Sequence, residues 1–89
     1  MKNGFGIKIS PDPLIGKAII DYIVPGNGTI NIVLLDVFGQ RIQVLYEGSQ
    51  NAGQYQLVLN NQLSDLVAGC YFIRIQQNGK GYFTSFIKK

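Results

Sequence analysis

Apolar residues recur at every second position along most of this sequence, which is the spacing of a β-strand with one buried face. The clearest runs are centred on Tyr22, Ile32 and Leu57, and glycine, asparagine or proline closes each of them. No window of about eleven residues has apolar side chains spaced three and four apart, so we expect no α-helix. Only the stretch from Leu63 to Val67 fits either a turn of helix or a loop.

Turn signals divide these runs into about seven strands. The strongest signal is Asn78-Gly79, because a two-residue hairpin turn requires positive φ angles that both residues tolerate. Short strands with turns about every 8–12 residues are typical of a β-sandwich. We therefore predict an all-β, Ig-like antiparallel sandwich: a single domain over residues 1–89, in which residues 1–8 are either a linker or an added start. The predicted strands are 5–9, 18–24, 29–37, 40–46, 53–60, 69–77 and 81–88.

Side-chain parity gives each predicted strand an inward and an outward row. The inward row is apolar and consists of Ile20, Tyr22, Val24, Ile30, Ile32, Leu34, Tyr55, Leu57 and Leu59. The outward row is also apolar in places, at Ile19, Ile23, Val33, Leu35 and Val37. A large exposed apolar face marks an interaction surface, so we expect self-association or docking onto a neighbouring domain.

The composition argues against catalysis and against nucleic-acid binding. The 89-residue chain has no histidine, and its five acidic residues are spread among different predicted turns and strands. Without an imidazole base or carboxylates at ligand spacing, we expect no enzyme activity, no cofactor and no metal. A calcium site built from two turn aspartates is the alternative. The net charge is only +3 and the lysines are scattered, so no basic stripe for nucleic acid is expected.

The single cysteine, Cys70, excludes an internal disulfide, and its apolar strand context predicts a buried thiol. Charged residues make up 15% of the chain, against a usual share of about 25%, which predicts that a partner covers part of the surface. The first residues lack the apolar segment of a signal peptide. Either the protein is cytoplasmic, or the sequence is a fragment whose export signal lies upstream.

Several short motifs follow one another in a fixed order, and most of them contain a glycine. They are Pro25-x-x-Gly28, Asp36-x-x-Gly39, Ala52-Gly53, Gly69-x-Tyr71 and the closing Lys88-Lys89. In this order and at these spacings, over about residues 9 to 89, the chain resembles the C-terminal sorting domain of type IX secretion. It departs from that family at Asp12, where asparagine is usual before proline, and at Cys70, where valine or isoleucine is more common. The flagellar hook-capping protein carries a related Ig-like domain.

This resemblance implies that the domain is a non-catalytic C-terminal sorting signal of a larger cargo protein. The implied partners are the outer-membrane translocon, a sortase-like protease that often cleaves the domain, and the upstream cargo domain. The implied route passes through the periplasm to the outer membrane, the cell surface or the medium. An exposed edge strand, Tyr71, Lys88 and Lys89 are the candidates for recognition.

Each of these residues also has a purely structural interpretation. Tyr71 fits a core position, and the two lysines fit the solvated end of an edge strand. The motif glycines and Asp36 fit backbone turns. The alternative function is a structural or carbohydrate-binding Ig-like module of a surface protein. The carbohydrate version requires a row of exposed aromatic side chains on one face, for which the candidates are Tyr46, Tyr55, Phe72 and Tyr82.

Overall fold

A computed structural model describes residues 4–60 and 62–89, which form seven β-strands in two antiparallel sheets. The three-stranded sheet has the order β1-β2-β5, and the four-stranded sheet has the order β4-β3-β6-β7. All regular structure in these residues is β-strand, so the predicted all-β, Ig-like sandwich is confirmed. The strands are β1 (Gly6–Ser10), β2 (Ala18–Val24), β3 (Gly28–Leu35), β4 (Arg41–Gln50), β5 (Gly53–Leu59), β6 (Gly69–Gln77) and β7 (Lys80–Lys88).

The core lies between the two sheets and is formed by the predicted inward row. Seven of its nine members are buried: Ile20, Tyr22, Val24, Ile30, Ile32, Leu34 and Leu59. The other two, Tyr55 and Leu57, are half-buried against the core, because β5 is an edge strand with a neighbour on one side only. Ile73 and Ile75 of β6 and Phe86 of β7 complete the core from the facing sheet.

The predicted outward row is exposed only in part. Val33 and Leu35 have 1% and 6% of their surface exposed, so their assignment to an exposed patch is wrong. The reason is their position in β3, which has a strand on each side. Val33 lies opposite Arg74, and Leu35 opposite Phe72, whose large side chains stand on the same face of the sheet. Ile19 and Ile23 are half-buried, and Val37 is exposed in a turn.

Two strand boundaries differ from the prediction for identifiable reasons. β3 ends at Leu35 rather than at residue 37, because Asp36 begins a tight turn. β4 continues to Gln50, past the predicted end at residue 46, and its pairing with β3 shifts register twice. Gly48 lets this strand pass the ring of Tyr46, since a Cβ atom there would lie 2.9 Å from the tyrosine hydroxyl. The ambiguous stretch after residue 61 is a turn closed by a 3.3 Å bond from the Leu66 amide to the Leu63 carbonyl.

Cys70 is exposed, so the expectation of a buried thiol is wrong. The residue belongs to the row of β6 that faces away from the core, next to the buried Tyr71 and opposite Ile87 of β7. An apolar context in the sequence therefore did not distinguish the two faces of this strand.

One end of the sandwich, which we call the hairpin end, contains the turn between β6 and β7 and the turn between β2 and β3. Asn78 and Gly79 both have positive φ angles, +54° and +77°, which confirms the predicted hairpin. The buried side chain of Gln77 ties the two turns together, because its Nε2 atom donates to the carbonyl oxygens of Gly26 at 2.9 Å and Gly28 at 3.4 Å.

Candidate functional site

Motif segments from three parts of the sequence meet at the opposite end of the sandwich. Leu35, the last residue of β3, pairs with Phe72 of β6, and Gly69 at the start of β6 pairs with Lys88 of β7. The Asp36–Gln40 turn, Gly69 and the two lysines therefore share one end, which we call the lysine end. The predicted site residues that it brings together are Asp36, Gly39, Gly69, Tyr71, Lys88 and Lys89.

The side chain of Asp36 holds the turn between β3 and β4. Its Oδ1 atom accepts hydrogen bonds from the amides of Phe38 and Gln40, both at 2.9 Å. The Gly39 amide donates to the Asp36 carbonyl at 3.0 Å, with a φ angle of +83° that favours glycine. This turn presents Phe38 to solvent with 85% of its surface exposed. Asp36 and Gly39 thus shape the turn, and Phe38 is the side chain that the turn displays.

Tyr71 supports the same end from inside the sandwich. Its ring is 7% exposed and stacks on Phe86 with ring centroids 5.8 Å apart. Its hydroxyl donates to the carbonyl oxygen of Val67 at 2.6 Å, which fixes the segment leading into β6. Tyr71 is therefore a core residue that positions its neighbours, and the nearby Val67 is 76% exposed.

The end of β7 is tied to the segment between β1 and β2. The Leu14 amide donates to the Ile87 carbonyl at 2.6 Å, and the Lys89 amide donates to the Leu14 carbonyl at 3.1 Å. The Ile87 amide donates to Oδ1 of Asp12 at 3.1 Å, a bond that an asparagine oxygen at this position could equally accept. Leu14 is fully buried. Residues 12–14 therefore cover the end of this edge strand.

Apolar side chains are concentrated in the surface of the lysine end. Of the ten large apolar side chains that are exposed in the described residues, five lie here: Ile15, Val37, Phe38, Val67 and Ile87. Lys89 is exposed beside them, and the half-buried Lys88 donates from Nζ to the Lys89 carbonyl at 3.4 Å. We did not predict the exposure of Phe38. The signal was two apolar residues, Val37-Phe38, inside a tight turn where polar residues are usual.

The remaining predicted site residues lie at the hairpin end. Pro25 and Gly28 bound the turn between β2 and β3, and Gly53 pairs with Val24 at the start of β5. Oδ1 of Asn27 accepts a bond from the Ala52 amide at 2.9 Å, which joins this turn to the start of β5. These motif residues order the backbone about one sandwich length away from the lysine end, and the structure does not bring the two sets together.

The aromatic candidates for carbohydrate binding do not form a row. Tyr46, Tyr55, Phe72 and Tyr82 lie on four different strands. Tyr55 stacks on the core residue Tyr22 at 5.5 Å, while Phe72 packs against Phe83 on the outer face of the other sheet. The carbohydrate alternative therefore has no support in this arrangement.

Burial raises the pKa of the Tyr22 hydroxyl above its ordinary value, and that hydroxyl donates to Oε1 of Gln50 at 2.9 Å. Within residues 4–60 and 62–89, no three histidine, cysteine, aspartate or glutamate side chains are grouped to hold a metal ion. The described part of the chain also contains no helix that is long and apolar enough to cross a membrane.

Comparison with known proteins identifies the family. The model of the secretion system C-terminal sorting domain matches residues 8–89, which is nearly the whole chain. No curated protein matches this sequence. The matched range contains the five motif segments and all seven strands except the first two residues of β1. The chain therefore belongs to the family of type IX secretion C-terminal sorting domains, whose members are generally non-catalytic and direct an upstream cargo to the cell surface or beyond.

Proposed function

We propose that this domain is the sorting signal by which the type IX machinery recognises a larger cargo protein in the periplasm and moves it across the outer membrane. The observation that carries this proposal is the family match over residues 8–89. A sortase-like protease then removes the domain when the cargo is attached to the cell surface. The domain supplies a folded recognition surface, and the proposal assigns it no chemical step.

The lysine end is the surface that we propose the machinery reads. It combines exposed apolar side chains with lysine, and aromatic anchors surrounded by polar residues are typical of binding hot spots. Phe38 is the best anchor, because it is 85% exposed on a turn held by two bonds to Asp36. A turn fixed before binding loses less conformational entropy when a partner immobilises it.

Exchanging Phe38 for serine in a secreted fusion should test this surface. The fusion joins an export signal, a reporter and residues 1–89, and it is expressed in a cell with the type IX apparatus. We expect Phe38→Ser to leave most of the reporter in the periplasm, because the anchor is lost while the core is untouched. The measurement is the ratio of extracellular to periplasmic reporter.

Phe83→Ser is the matched control for this variant. Phe83 is 58% exposed on β7, away from the lysine end, and the substitution removes the same atoms. Its fusion should be exported like the parent, and urea denaturation should show that both variant domains remain folded. Equal export of both variants would show that the machinery does not read Phe38.

A further inference from the structure

In the described part of the chain, β5 is the one edge strand of four that lacks protection against pairing with another chain. Native edge strands are usually short, charged, bulged or covered. β1 has five residues and carries Lys8, and β4 carries two charged residues and two register shifts. β7 carries a lysine at each end, Lys80 and Lys88, and its last residue is bridged by Leu14. β5, with the sequence GQYQLVL, has no charge, no proline and no register shift.

The open side of β5 is regular over its whole length. All seven of its residues pair with β2 in unbroken register, from Gly53 opposite Val24 to Leu59 opposite Ala18. Because β5 pairs with β2 without a bulge, the amides and carbonyls of its alternate residues point to the open side in the regular pattern of an antiparallel strand. Tyr55 and Leu57 are only half-buried at this edge, and Val58 is 44% exposed. A strand added beside β5 would cover these side chains and extend the core.

We propose that the occupant of this edge is β5 of a second copy of the chain, paired antiparallel about a two-fold axis. An isologous contact requires a self-complementary strand, and β5 meets this requirement when the axis passes through Gln56. In that register all seven residues pair, and Tyr55 lies opposite Leu57 of the second copy on the core face. Gln54 then lies opposite Val58 on the outer face, and the two Gln56 amides meet at the axis.

Charge also favours this occupant. The strand is neutral, so self-pairing places no like charges opposite each other, which would be destabilising. The result is one six-stranded sheet across two sandwiches. A contact of two seven-residue strands lies at or below the small end of specific interfaces, about 1,200 Å² in total, so the dimer should be weak and concentration-dependent. This pairing is independent of the proposed sorting role and is measured on the purified domain.

Sedimentation equilibrium of variants with like charges tests the proposal. Gln54→Lys with Val58→Lys places lysine opposite lysine twice in the predicted register, and Gln54→Glu with Val58→Glu does the same with glutamate. The parent should show a reversible dimer between micromolar and millimolar concentration, and each double variant should be monomeric. An equimolar mixture of the two should form a dimer again, because lysine then faces glutamate.

A cysteine at the axis tests the register separately. In a Cys70→Ser background, Gln56→Cys should form a disulfide-linked dimer with oxidised glutathione, because its two copies lie directly opposite. The Gln54→Cys variant alone should form no disulfide-linked dimer, whereas a mixture of the Gln54→Cys and Val58→Cys variants should form one. A parent that is monomeric up to millimolar concentration would overturn the proposal. Dimers that persist in both charged variants would overturn it too, and would place the contact elsewhere on the chain.

Discussion

Truncating Ile32 to alanine should lower the free energy of unfolding by about 2–5 kcal/mol. The side chain is fully buried in β3, with strands on both sides and the facing sheet above it. The cavity left there cannot collapse easily, because every neighbour is held in a paired strand. Urea denaturation followed by circular dichroism measures the loss, which is a large share of the roughly 5–15 kcal/mol that stabilises a typical domain.

Ile42→Ala removes the same atoms at a site that is 42% exposed, and it is the control for this prediction. The substitution should lower the free energy of unfolding by less than about 1 kcal/mol, since it exposes little additional apolar surface to water. A loss below about half a kcal/mol for Ile32→Ala, or an equal loss for both variants, would mean that Ile32 does not face the core.

Deleting residues 87–89 should destabilise the domain by about 3 kcal/mol or more. The cut removes the Ile87 carbonyl and Lys89 amide that bond Leu14, and the Ile87 amide that bonds Asp12. Three such bonds contribute about 0.5–1.5 kcal/mol each. Leu14, which is fully buried, would lose its partner strand, and burial of a leucine side chain contributes about 1.5–3 kcal/mol. Thermal and urea unfolding of the shortened domain measure the total.

Neutralising the two lysines isolates their charge from this structural role. Lys88→Gln with Lys89→Gln keeps every backbone bond, so stability should change by no more than about half a kcal/mol. If the shortened domain were as stable as the parent, the bonds to residues 12–14 would contribute nothing to the stability of the domain. If the double substitution were as costly as the deletion, the charges would contribute directly to folding.

The alternation of apolar residues alone predicted most of the core correctly, because every second side chain of a strand faces the inside of the sandwich. It failed at Val33 and Leu35, which are buried on the outer face by residues such as Arg74 and Phe72. Their shielding depends on which strands lie beside β3, and a period of two contains no information on neighbours. Cys70 failed for a related reason, since an apolar run predicts a strand but not which side of it is covered.

The sequence predicted the local turns of the lysine end, but it did not predict how these segments contact one another. The motif spacing placed Asp36 and Gly39 in a turn and Gly69 at a strand start, as the structure shows. The bonds from residues 12–14 to the end of β7 join positions about 75 residues apart. No local pattern encodes a contact of that range, so the covered edge and the buried Leu14 emerged only from the three-dimensional arrangement.

The location of an intact fusion tests the sorting role most directly. An export signal and a reporter followed by residues 1–89 should place the reporter outside cells that have a working type IX apparatus. The same fusion should stay in the periplasm of cells that lack the apparatus, and a reporter without the domain should stay there in both. Retention of the intact, folded fusion in the periplasm of apparatus-competent cells would contradict the account.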